Sequence, residues 1–118
     1  MIYFWQSTYL PDESDRKFTS IHLLKVPDDA TFSKADSLFK VANSLIAKAG
    51  YPDCGYTMYK VLEGEGLKYN WVMNGNWKTQ ENYAVIHKNE QLNKFYEQNI
   101  DFLKSLFRDE VYVKVSLP

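Results

Sequence analysis

The stretch from Leu67 to Leu106 constrains the chain most. It opens on strict alternation, with Leu67, Tyr69, Trp71 and Met73 on one side and Lys68, Asn70, Val72 and Asn74 on the other. A repeat of two residues is the signature of a strand, and here one face is largely apolar. The chain then passes through Asn74-Gly75-Asn76-Trp77 into a helix that Thr79 can cap. From Thr79 to Phe107 the apolar residues follow helical spacing, but in two phases. Tyr83, Ile86 and His87 share one side, and Leu92, Phe95, Tyr96, Leu103 and Leu106 fall roughly opposite. At ~100° per residue one straight helix cannot bury both stripes on the same sheet. A break near Lys88-Asn89-Glu90 is therefore expected, giving a short helix and then a longer one.

The remaining elements fall around this stretch. Ile2 to Leu10 is aromatic and β-branched and reads as a strand, followed by a polar loop from Pro11 to Lys17. Phe18 to Val26 reads as a second strand, closed by Pro27. Asp28, Asp29 and Thr31 supply helix-start chemistry. Phe32, Ala35, Leu38, Phe39, Ala42, Leu45, Ile46 and Ala49 then form one apolar stripe, ended by Gly50 and Pro52. Gly55 to Leu62 is a strand, and Glu63-Gly64-Glu65-Gly66 fits a hairpin into the Leu67 strand. Val111, Val113, Val115 and Leu117 alternate with Tyr112, Lys114 and Ser116 as the last strand.

Without the first strand the order is β-α-β-β-α-β, the split βαβ arrangement of a ferredoxin-like α+β fold. The expectation is one such domain over residues 1–118, with an extra N-terminal strand. Helices cover one sheet face in that fold. The other face is bare, and the alternation gives it large apolar groups as well. Such a face is an association site, most simply for a second copy of the chain. With 16% aromatic residues, the 118-residue chain has aromatics beyond what one core needs, which agrees with a homodimer.

Charge and composition remove several function classes. Fourteen Lys and Arg against 15 Asp and Glu leave a net charge of −1, and no basic run stands out, so nucleic acid is not expected as a partner. No apolar segment approaches ~18 residues, so no membrane span is expected. Cys54 is the one cysteine, which excludes an internal disulfide and a multi-cysteine metal site. No basic residue adjoins it to lower its pKa. The N-terminus shows no basic segment followed by an apolar core, which makes a cytoplasmic location the default, with a leader removed ahead of Met1 left open.

The segment NWKTQENYAVIHKNEQLNKF resembles the strand-to-helix junction of the dimeric α+β barrel superfamily. That group includes antibiotic-biosynthesis monooxygenase-like and haem-degrading monooxygenase-like proteins. The shared pattern is Trp77 at the strand end, Thr79, the polar turn Gln80-Glu81, Tyr83, and a second helical segment from Glu90. The resemblance implies a ligand site in the cleft between sheet and helices. Haem-degrading members use an Asn on the first strand, a Trp at the junction and a His on the second helical segment. Here Trp77 matches, but His22 falls at the Asn position and Tyr96 at the His position. Haem is therefore expected to bind poorly, and no cofactor or metal is assigned.

Five residues are candidates on this basis. His22, Trp77 and Tyr96 are candidate catalytic groups, and Trp71 and His87 candidate ligand contacts. A His changes charge near neutral pH and can accept a proton from a phenolic ligand. No acidic partner for His22 can be assigned from sequence. The expected function is small-molecule binding, with a small aromatic ligand, or cofactor-independent monooxygenase-like chemistry. The alternative is a non-enzymatic homodimeric interaction domain in which the same aromatics only pack. Two or more polar groups converging on one pocket distinguish the first from the second.

Overall fold

The computed structural model describes residues 16–64 and 68–118. The strand expected over Ile2 to Leu10 lies outside these residues, as do Glu65 and Gly66 of the expected turn and Leu67, the expected first residue of the next strand.

Eight elements follow in the order β1 (Phe18–Leu24), α1 (Asp29–Lys48), β2 (Gly55–Lys60), β3 (Trp71–Asn76), α2 (Gln80–Ile86), α3 (Glu90–Gln98), α4 (Ile100–Leu106) and β4 (Val111–Ser116). The strands form one antiparallel sheet in the order β2-β3-β1-β4, the ferredoxin-like topology. The register pairs Ser20 with Gly75 and Lys114, His22 with Met73 and Tyr112, and Met58 with Met73. Phe18, Ser20, His22 and Leu24 therefore share a face with Tyr56, Met58, Met73, Gly75, Tyr112 and Lys114. That face meets the helices. Leu38, Phe39, Ala42 and Ile46 of α1 pack there with Leu92, Leu103 and Leu106, all buried.

Local chemistry explains the element ends. The Thr31 amide donates to Asp28 Oδ1 at 2.8 Å and starts α1. Asn43 of α1 holds the start of β2 through both halves of its amide, donating to Tyr56 O at 2.9 Å and accepting from Tyr56 N at 2.8 Å. Asn70 does the same for Val26, at 2.8 and 2.7 Å, and carries the sheet past the ends of β1 and β3. The regular part of β3 therefore begins at Trp71, later than the alternation from Leu67 suggests.

Two features of the helical region depend on single residues. Asn74-Gly75-Asn76 stays in β3, and the chain turns instead at Trp77 and Lys78, the latter with a φ of 66°. This turn sends the Trp77 ring into the core, fully buried, with Nε1 donating to Ser20 Oγ at 2.9 Å. Gly75 makes room for that contact. A Cβ there would collide with Ser20 Oγ and lie 2.7 Å from Trp77 Nε1. The expected break falls where the phase reversal puts it. His87 closes α2, and Asn89 caps α3 by accepting from Leu92 N at 3.0 Å. The longer helix expected beyond it is two helices, because Asn99, with φ −117° and ψ 20°, leaves helical geometry between α3 and α4.

Candidate functional site

A cavity of about 370 Å³ opens between the sheet and the helices. His22 of β1, Tyr56 of β2 and Met73 of β3 lie along its floor. Phe39 of α1, Tyr96 of α3, Ile100, Leu103 and Lys104 of α4, and Phe107 complete the lining. The wall is mostly apolar, with polar atoms at a few fixed points, as expected of a small-molecule site.

His22 stands at one end. Its Nδ1 lies 2.5 Å from Glu110 Oε2, and its ring stacks on Tyr112 at 4.3 Å between centroids and lies 5.1 Å from Phe107. A carboxylate can only accept, so Nδ1 carries the proton in the neutral ring and Nε2 carries the lone pair. Burial lowers the His22 pKa below the ordinary imidazole value, and the Glu110 carboxylate pulls in the opposite direction without cancelling it. The neutral ring is thus a base held in one tautomer by an acidic partner.

Tyr56 and Tyr96 stand at the other end. Tyr96 Oη donates to Tyr56 Oη, and Tyr56 Oη in turn reaches His87 Nε2, each at 3.5 Å. His87 Nδ1 lies 2.7 Å from the Tyr83 carbonyl oxygen, which can only accept. Nδ1 therefore bears the hydrogen, and Nε2 accepts from Tyr56. Burial also lowers the His87 pKa. It pushes Tyr96 up to about 12 and Tyr56 well above the phenol range, so both keep their hydroxyl protons at neutral pH.

The five sequence candidates fall in three places. His22 and Tyr96 line the cavity together. Trp77 and His87 sit behind its wall, Trp77 edge-on to Tyr56 at 5.0 Å and to His87 at 4.8 Å. Trp71 lies apart, stacked on Phe32 at 4.0 Å near the start of α1. Sequence reasoning missed Glu110 and Tyr56. The signal for Glu110 was its parity, since it falls two residues before Tyr112 on the same side of the alternation. What was lacking was the β1–β4 register that brings that side to His22. Among the described residues, no group of three or more His, Cys, Asp or Glu side chains is arranged to hold a metal ion. No described helix is long and apolar enough to cross a membrane.

Fold and cavity together define a ferredoxin-like α+β domain with a ligand-sized cleft under its helices and an outer sheet face that no helix covers among the described residues. No protein-family model matches the chain, and no curated protein matches it. Solved structures do resemble it. A dimeric ferredoxin-like protein of unknown function from Thermobifida fusca superposes with a TM-score of 0.56 at 14% identity, covering 99% of this chain and 97% of that one. A dimeric ferredoxin-like protein from an uncultured marine organism gives 0.55 at 15% identity, covering 86% and 94%. A protein of unknown function from Bacteroides thetaiotaomicron, described as a possible oxidoreductase, gives 0.53 at 12% identity, covering 90% and 100%. At these identities the likeness is one of fold. It agrees with the fold-level resemblance to the dimeric α+β barrel superfamily read from the junction at Trp77.

Proposed function

We propose that the protein binds a small, flat, mostly apolar molecule bearing a weakly acidic hydroxyl, and that His22 accepts the proton of that hydroxyl. The observation that carries this reading is the His22–Glu110 pair at one end of the cavity, with Nε2 turned to no protein partner among the described residues. Proton transfer to Nε2 leaves an imidazolium beside a carboxylate, an arrangement Glu110 stabilises. Lys104 in the lining supplies positive charge for the phenolate formed. Four polar side chains, His22, Tyr56, Tyr96 and Lys104, line this cavity, which favours ligand binding over packing alone.

Monooxygenase-like chemistry is the finer form of this reading. It needs dioxygen as co-substrate and no cofactor. A phenol and dioxygen give a quinone and water. One oxygen atom becomes the new carbonyl, and the other leaves as water with the hydroxyl hydrogen and one ring hydrogen. The residue contribution is proton removal, which makes the ring electron-rich enough to react.

We also infer a homodimer through the outer sheet face. Tyr59, Val111, Val113 and Val115 are 41 to 54% exposed there, beside half-buried Ile21, Leu23 and Val72. An apolar surface of this kind is a pairing surface, and two of the solved structures that resemble the chain are described as dimeric, which supports a homodimer.

The test is a titration of phenols into wild-type protein and His22→Ala, followed by ligand fluorescence, with oxygen uptake measured in parallel. Wild type should bind at least about tenfold more tightly, the size expected for one hydrogen bond with charged character. Equal affinities would remove the proton-acceptor reading, and binding without oxygen uptake would remove its monooxygenase form.

A further inference from the structure

The direction of the hydroxyl chain identifies the ligand more closely. The chain begins at the Tyr83 carbonyl, which has no hydrogen to give, so His87 Nδ1 must donate to it. That leaves His87 Nε2 as an acceptor, filled by the Tyr56 hydroxyl hydrogen. Tyr56 Oη then accepts from Tyr96, which spends the Tyr96 hydrogen inside the protein. What Tyr96 offers the cavity is an oxygen lone pair. The opposite end offers a lone pair too, because Glu110 takes the Nδ1 hydrogen of His22.

Both of these groups therefore present acceptors to the cavity, and Lys104 is the donor in its lining. Their floor residues lie on β1 and β2, which flank β3 and Met73. Tyr56 lies two strands over and two residues along from His22, so at about 4.8 Å per strand and about 3.3 Å per residue these two floor positions are roughly 12 Å apart. Apart from Lys104, the rest of the lining is apolar and aromatic. A carbonyl or ether oxygen at the Tyr96 end would face lone pair against lone pair.

Resting on the proton-acceptor reading of His22, we propose that the ligand is an aromatic diol, with one hydroxyl donating to His22 Nε2 and the other to Tyr96 Oη. His87 touches no ligand atom. It is a positioning residue, since its Nε2 lone pair fixes which way the Tyr56 and Tyr96 hydroxyls point.

A matched set of probes tests this: a naphthalenediol with hydroxyls at opposite ends, its monomethyl ether, and the corresponding hydroxynaphthaldehyde. Wild type should bind the diol about tenfold more tightly than the ether, and the aldehyde no better than the ether. Tyr96→Phe, which removes one oxygen and keeps the ring, should weaken the diol and not the ether, so that the preference for the diol disappears. His87→Leu frees the Tyr56 hydrogen, so the chain can reverse and the aldehyde should gain on the diol, a change that loss of packing alone does not produce. If diol and ether bind equally to wild type and His22→Ala weakens both, the diol assignment falls and the proton-acceptor reading stands. A wild-type preference for the aldehyde over the diol overturns the chain direction. Absence of any binding, or indifference to His22→Ala, overturns both.

Discussion

An imidazole buried beside a carboxylate is under two opposing influences. Desolvation disfavours its charged form, while the carboxylate favours it. In His22 the first is larger, and in His87 burial likewise prevails. The consequence for stability has a definite sign. With folded pKa values below the ordinary value of about 6.5, the unfolded chain binds more protons in the window beneath it. The stability these two residues contribute is complete above about pH 6.5 and is lost as the pH falls below it. Glu110→Gln removes the charge that holds the His22 pKa up, so the His22 pKa should fall further and the window widen. Imidazole NMR titrations beside urea melts at a series of pH values measure both. An unchanged His22 pKa in Glu110→Gln would mean that the ion pair exerts no effect. From the sequence, His22 was legible as a residue able to titrate. Its partner was not, because a hydrogen bond between residues 88 positions apart depends on strand register.

At the scale of elements, two asparagines divide the second helical region. Asn89 Oδ1 satisfies the Leu92 amide in the first turn of α3, and Asn99 Nδ2 donates to Phe95 O at 2.9 Å where α3 ends. Replacing Asn89 by Ala should cost about 1 kcal/mol, the usual worth of an N-cap, read as a lower urea midpoint with an unchanged slope. No change would mean that the α2–α3 break is held by packing alone. The first break could be read from sequence because the apolar stripe changes phase there. The second could not, because Leu92, Phe95, Tyr96, Leu103 and Leu106 stay in phase across it. Only the polar Asn99, sitting between Tyr96 and Leu103 on that stripe, marks the place. Its effect on the site is direct, since Ile100, Leu103 and Lys104 of α4 line the cavity.

For the whole molecule, the expected species is a pair of chains joined by their outer sheet faces. Light scattering at micromolar concentration should give roughly twice the 13.9 kDa chain mass, and Val113→Asp should return the protein to one chain. A wild-type monomer throughout that range would refute the pairing. The open face was legible because the helices account for one side of the sheet and the alternation leaves apolar residues on the other. The cavity was legible only as a cleft between layers. Its shape depends on the Lys78 turn and on the length of α3, and neither has a sequence signal as strong as alternation.

The last strand has a further consequence. In β4 the side chains of Val111, Val113 and Val115 leave by the outer face, while Tyr112 and Lys114 alternate with them on the side of His22, next to Glu110. Under the proposed binding and pairing, this one strand takes part in two equilibria. If a molecule bound at His22 holds Glu110 and Tyr112, and with them the valines, in the paired geometry, then by reciprocity it favours association by the same factor by which association favours its binding. Dilution then acts as a competitor: apparent affinity should weaken as total protein falls through the dissociation constant of the pair, although no competing molecule has been added.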